Sequence, residues 1–211
     1  MTDGKALGAD DRIASVLARI QAAVAAGVDW VQIREKDLAA RELLALSRTA
    51  VRAAEETGTA NARVIVNDRL DVALAAGAAG VHLGGESLPA REAARWCRSG
   101  NAPADFLIGV SCHATEEARE AEDFGASYIF FGPVFDTPAK RRFGPPQGIA
   151  KLAEVCRAVR IPVIAIGGIT EKNGPECFRA GAAGVAAIRL FQEADDAAEL
   201  KRAIERLHDT K

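Results

Sequence analysis

The chain has 211 residues and a formal net charge of −2, which suits one α/β domain with a substantial core and gives no general pull toward nucleic acid or an anionic membrane. No stretch is long and apolar enough for a membrane helix, and the start lacks a signal-peptide pattern. The four cysteines, Cys97, Cys112, Cys156 and Cys177, lack the spacing of a zinc knuckle or a disulfide framework. The expectation is a cytoplasmic protein with reduced thiols and without nucleic-acid or membrane partners; a homo-oligomer is compatible with the composition.

In chain order, MTDGKALG runs directly into a helical pattern beginning near Asp11. That helix ends at Gly27, and an apolar run follows at once, Val28 to Arg34. The same junction recurs at Gly77 before Ala78 to Gly84, at Gly125 before Ala126 to Gly132, and at Gly181 before Ala182 to Ile188. A glycine in this place predicts a left-handed helix end that turns straight into a strand. The spacing, roughly fifty residues, fits two strand-plus-helix units per repeat. Three further short runs lie between: Arg63 to Asn67, Phe106 to Ser111 and Pro162 to Gly167. Strands alternating with helices predict parallel βαβ units closed into a (β/α)8 TIM barrel spanning 1–211 as a single domain. Seven strands are legible, so the first strand is missing or reduced to a stub at the N-terminus, and a start upstream of Met1 is the favoured explanation because an open parallel barrel leaves edges unpaired.

Side chains alternate faces along a strand, so the capping glycines set a common register. Positions four and six after each glycine are apolar: Val31 and Ile33, Val81 and Leu83, Ile129 and Phe131, Val185 and Ala187. They should face the helices. Positions five should share one interior layer: Gln32, His82, Phe130 and Ala186. Positions seven, Arg34, Gly84, Gly132 and Ile188, should leave open space beside one charge at the C-terminal mouth. His82 reads as a hydrogen-bonded interior histidine with Gln32 as its partner, and His113 as support for Ser111. Thr115 reads as an N-cap ahead of Glu116, Glu117 and Glu120.

Beyond the strand ends lie Arg34, Glu35 and Lys36; Asn67 and Asp68; Ser87; Ser111; Thr137, Lys140, Arg141 and Arg142; Gly167 and Gly168; and Arg189. Cations outnumber acids there. The loop Ala165 to Thr170 offers glycine N–H groups beside the strand end at Ile188 and Arg189, the pair of loops with which barrels often bind phosphate. A phosphorylated small molecule is expected, with a second anionic site near Arg34, Lys36 and Lys140.

The runs VQIREK (Val31 to Lys36), Asn67-Asp68-Arg69, GVHLG (Gly80 to Gly84), Ser111-Cys112-His113, GPVFDTPAK (Gly132 to Lys140) and AIGGI (Ala165 to Ile169) together resemble the thiamine phosphate synthase family. The resemblance implies a transferase that joins hydroxymethylpyrimidine diphosphate to thiazole phosphate with Mg²⁺, giving thiamine phosphate and diphosphate. It implies that Gln32, Arg34, Lys36, Asn67, Ser111 and Lys140 belong to the pyrimidine diphosphate side, with Arg34, Lys36 and Lys140 catalytic and Glu35 among the substrate-binding residues. Thr137, Gly168, Ile188 and Arg189 fall on the thiazole phosphate side, and Asp68 on the metal. Ser87 stands at the second metal position, where the family carries aspartate; Ala139 and Arg189 replace a threonine and a serine of the phosphate side. The related thiazole tautomerases carry histidine in a GHVF run where this chain has Pro133, and a non-catalytic protein binding thiazole phosphate or thiamine phosphate is the third reading.

Overall fold

A computed structural model of the chain describes residues 1–4, 12–56, 62–137, 145–192, 194 and 197–208. Seven parallel strands form one curled sheet in sequence order, each pairing with its successor. They are β1 (Trp30–Ile33), β2 (Arg63–Asn67), β3 (Gly80–Leu83), β4 (Leu107–Cys112), β5 (Tyr128–Phe131), β6 (Val163–Ile166) and β7 (Gly184–Ala186). The described α-helices are α1 (Arg12–Ala25), α2 (Ala40–Glu56), α3 (Leu70–Ala76), α4 (Ala90–Trp96), α5 (Thr115–Phe124), α6 (Gly148–Ala158), α7 (Gly174–Arg179), α8 (Arg189–Gln192) and α9 (Ala197–His208), and a π-helical turn, Cys97–Asn101, follows α4. None of them is long and apolar enough to cross a membrane.

The four predicted joints are alike in detail. Gly27, Gly77, Gly125 and Gly181 have φ of 95°, 69°, 87° and 99°, and the residue after each donates its N–H to a carbonyl five residues back. This bond, and that from each glycine N–H to the carbonyl three residues back, satisfy carbonyls that the helix end leaves free, and the left-handed turn aims the chain into the next strand. The helices present apolar residues at helical spacing, as Val16, Ile20, Ala23 and Val24 do on α1 and Leu200, Ala203 and Leu207 do near the C-terminus. Against them pack Val31, Ile33, Val81 and Leu83 in one half of the shell, and Ile129, Phe131, Val185 and Ala187 in the other. The outward set is as expected from the alternation.

Residues 1–3 lie where the first strand was expected, without forming a regular one. The Thr2 N–H donates to the Gln32 carbonyl at 2.8 Å, and Thr2 Oγ1 accepts from the Arg34 N–H at 2.9 Å. On the other side the Met1 amine lies 3.2 Å from the Ala187 carbonyl, its pKa lowered to about 6 by burial. Residues 1–3 therefore bridge β1 to the end of β7.

The interior holds a layer that lies one step below the predicted one. Trp30 of β1 and Tyr128 of β5 meet edge to face across the barrel, ring centroids 4.7 Å apart. Both occupy the third position after a capping glycine, where β3 and β7 carry Gly80 and Gly184. Two large rings thus face two residues without side chains, the large-and-small complement that fills a narrow barrel. His82 sits above, with its ring centroid 4.2 Å from that of Phe130, so these two do share the predicted layer.

Candidate active site

Adjacent strand ends bring the site residues together. On the β1–β2 side, Gln32 Nε2 donates to Asn67 Oδ1 at 3.2 Å. Gln32 is 5% exposed, and its Oε1 is buried with no hydrogen-bond partner among the described residues. The next residue, Asp68, is the non-glycine with a left-handed φ (64°) among those described. Its N–H donates to the His82 carbonyl at 2.8 Å, which ties the β2 loop to β3. Non-glycine residues are held in this region only where surroundings enforce it, and such places cluster at functional sites.

Asp68 is the junction of the two predicted metal positions. Ser87 Oγ donates to Asp68 Oδ1, while Lys36 Nζ lies 3.3 Å from Oδ2. Ser87 in turn accepts from the Gly84 N–H at 2.8 Å. An added Cβ at Gly84 would find nothing closer than 3.8 Å, so this glycine does leave space at the mouth. Gly132 does not. An added Cβ there would run into the Ile166 carbonyl and sit 2.9 Å from its Cγ2, so the predicted opening at that position is filled by the neighbouring strand's backbone.

On the β3–β4 side, His82 Nε2 lies 2.9 Å from Ser111 Oγ and Nδ1 lies 3.2 Å from the Tyr128 hydroxyl. Burial lowers the His82 pKa to about 3 and raises that of Tyr128, so the imidazole is neutral at physiological pH. His82 thus contacts Ser111 and Tyr128 where Gln32 was expected, and His113 turns its Nδ1 to the Gly132 carbonyl instead of to Ser111. Thr115 is the first residue of α5, and its hydroxyl donates to Glu154 Oε1 at 2.6 Å instead of capping its own helix.

Opposite lies the loop pair expected to hold phosphate. Gly167 and Gly168 have φ of 98° and 67°. An added Cβ at Gly167 would sit 2.6 Å from Pro133 Cα, and one at Gly168 would sit 2.5 Å from the Asp136 carbonyl oxygen. The loop after β5 therefore lies directly on the loop after β6, fixed by Val134 N–H to the Ile166 carbonyl at 2.9 Å and Phe135 N–H to the Gly167 carbonyl at 3.0 Å. Thr137 follows at once, half-buried. Ile188 and the exposed Arg189 lead from β7 into α8. Arg34 is joined to the Ala187 side through Thr2 and Met1.

Glu35 stands apart from this mouth. Its carboxylate, 3% exposed, accepts from the Gly4 N–H at 2.9 and 3.1 Å and from Arg12 Nη2. Arg12 also pairs with Asp37. Glu35 thus fastens the N-terminal segment and α1 to the end of β1. Lys140, Ala139, Arg141 and Arg142 lie outside the described residues. Among the described residues no group of three His, Cys, Asp or Glu side chains is arranged to hold a metal.

Two residues escaped the sequence reading: Tyr128, which holds His82, and Thr2, which pins Arg34. The signal for Tyr128 was its position three after Gly125, on the inward side of the same register.

A family model described as thiamine monophosphate synthase matches residues 7–191. A putative thiamine-phosphate synthase of Geobacter sulfurreducens is 49% identical over 189 residues, covering 90% of this chain and 85% of the relative. The thiamine-phosphate synthase of a Roseiflexus species is 40% identical over 185 residues, covering 88% and 75%. The solved thiamine phosphate pyrophosphorylase of Pyrococcus furiosus superposes with a TM-score of 0.80 at 32% identity, over 97% of this chain and 93% of that one. The chain belongs to the thiamine monophosphate synthase family.

Proposed function

We propose that the mouth of the barrel holds two phosphorylated small molecules side by side and joins hydroxymethylpyrimidine diphosphate to thiazole phosphate, forming thiamine phosphate and diphosphate. The observation that carries this reading is the side-chain amide oxygen of Gln32, Oε1, buried beside Asn67 and without a partner among the described residues. A buried acceptor of this kind is costly unless a ligand supplies a donor, and an aminopyrimidine presents N–H groups to Gln32 and Asn67.

In this reading Arg34, Lys36 and Lys140 neutralise the diphosphate, and Ser111 donates to it. Thr137, the N–H groups at Gly168 and Ile188, and Arg189 take the thiazole phosphate. The bond between the pyrimidine methylene and the diphosphate oxygen breaks with its electron pair leaving on diphosphate. The electron-rich ring supports the positive methylene, and the thiazole nitrogen lone pair forms the new carbon–nitrogen bond. No general base is needed; positioning and stabilisation of the leaving charge do the catalysis. Glu35 serves this site through the N-terminal segment it anchors, without touching substrate.

The residues fit Mg²⁺, which binds through one or two carboxylates and substrate phosphates. Asp68 would hold it with Ser87 beside, and the ion would supply charge neutralisation to the departing diphosphate. Lys36, already at Asp68, stands in the same place. Pro133 occupies the position of the tautomerase histidine, which favours the synthase. The absence of a membrane-crossing helix among the described residues and the small soluble substrates fit a cytoplasmic enzyme.

The test is diphosphate release from purified protein given both substrates, with Mg²⁺ and with a chelator. Release that requires both substrates and the metal supports the reading; no release refutes it, and release undiminished by the chelator removes the role of Asp68.

A further inference from the structure

Ser111 is the penultimate residue of β4, half-buried, and its side-chain contact comes from the interior layer below the mouth, from His82. His82 Nε2 approaches it at 2.9 Å, and His82 Nδ1 lies 3.2 Å from the Tyr128 hydroxyl. His82 and Tyr128 are 2% and 1% exposed. Gly109 is shaped to admit them, since an added Cβ would strike the Tyr128 ring and sit 2.6 Å from His82 Nδ1.

A neutral imidazole has one donor and one acceptor nitrogen, so this chain of three groups runs in one of two directions. With the proton on Nδ1, His82 would donate to the Tyr128 oxygen. The phenolic O–H would then lack an acceptor among the described residues, in a layer walled by the Trp30, Phe130 and His82 rings. A buried donor left unmade is disfavoured. In the other direction Tyr128 donates to Nδ1, Nε2–H donates to Ser111 Oγ, and every group is satisfied. Ser111 then cannot give its proton to His82. That proton is left for a ligand at the mouth.

We propose that Tyr128 and His82 are positioning residues that set the Ser111 hydroxyl as an outward hydrogen-bond donor to an anionic oxygen of the diphosphate substrate. The identity of that anion rests on the synthase reading; the direction of the chain does not. A serine pointing its lone pairs at a diphosphate would repel it, so the orientation decides whether Ser111 helps or hinders binding.

Histidine-selective ¹⁵N labelling of the full chain, with long-range proton–nitrogen correlation spectra, reads the tautomer. The three histidines are assigned by elimination with His113→Gln and His208→Gln. A proton on Nε2 of His82 is expected, and a proton on Nδ1 overturns the proposal whatever the activity. Kinetically, Tyr128→Phe should raise KM for the pyrimidine diphosphate about 5- to 10-fold with KM for thiazole phosphate unchanged. Ser111→Ala added to Tyr128→Phe should then cost little more; fully additive losses overturn the coupling. Absence of diphosphate release from the unmodified protein would refute the synthase reading alone, leaving the spectra to decide this one.

Discussion

Lys36 and Asp68 meet across the ends of β1 and β2, ammonium to carboxylate at 3.3 Å, while the second oxygen of Asp68 accepts the Ser87 hydroxyl. The side chains are 49% and 28% exposed, so the pair contributes no more than about 1 kcal/mol to stability. Asparagine tolerates the left-handed backbone at position 68. Asp68→Asn is therefore expected to fold normally, to lower diphosphate release by about 100-fold, and to raise the Mg²⁺ concentration for half-maximal rate. Ser87→Asp should lower that concentration, because a carboxylate replaces a weak ligand. Metal titrations of initial rate in the two variants check both.

Gly168→Ala adds strain at a φ of 67° and sets a methyl 2.5 Å from the Asp136 carbonyl and 2.8 Å from Phe135 Cβ. A loss of about 2 kcal/mol in urea unfolding is expected. KM for thiazole phosphate should rise more than KM for the pyrimidine diphosphate, since the displaced loop leads into Thr137. Equal changes in the two would place the phosphate elsewhere.

Gly109→Ala should cost about 3 kcal/mol, because the new methyl overlaps the Tyr128 ring in a filled barrel interior. Adding Tyr128→Phe should recover little, since the overlap is with the ring as well as the hydroxyl. Denaturant midpoints of the single and double variants decide this.

Acid should weaken the protein through His82. Its folded pKa of about 3 lies below the unfolded value of about 6.5, so the unfolded chain binds the extra proton between those values. Stability is full above about pH 6.5 and falls as pH drops toward 3, by about 2 kcal/mol at pH 5 from this group. His82→Gln should flatten the slope of urea midpoint against pH over pH 4–6.5; an unchanged slope would assign the acid loss to other groups.

Much of this molecule was legible because each strand repeats one joint. Once Gly27, Gly77, Gly125 and Gly181 mark the helix ends, alternation assigns inside and outside by counting, and the counts for Val31 through Phe131 hold. Counting identifies direction but not neighbours. It placed His82 inward, yet its partners come from β4 and β5, which register alone does not rank against Gln32. It read Gly132 as open space, although the absent side chain there serves the close approach of Ile166. Glu35 next to Arg34 looked like part of the mouth, while its partners Gly4 and Arg12 are more than twenty residues away along the chain. The pair of rings at Trp30 and Tyr128 was open to the same arithmetic at position three, where the matching glycines of β3 and β7 announce them.

Because every strand bonds to the one that precedes it in the chain, the sheet can accrete in the direction of translation, each new hairpin-free crossover finding its template already emitted. Nothing in the ladder waits for the far terminus. Only ring closure does: α9 reaches back to α1, and the Met1 amine finds Ala187. Nascent chains should thus be protected progressively from proteolysis in N-to-C order, with the first residues fastened on both sides last of all, when Met1 meets Ala187.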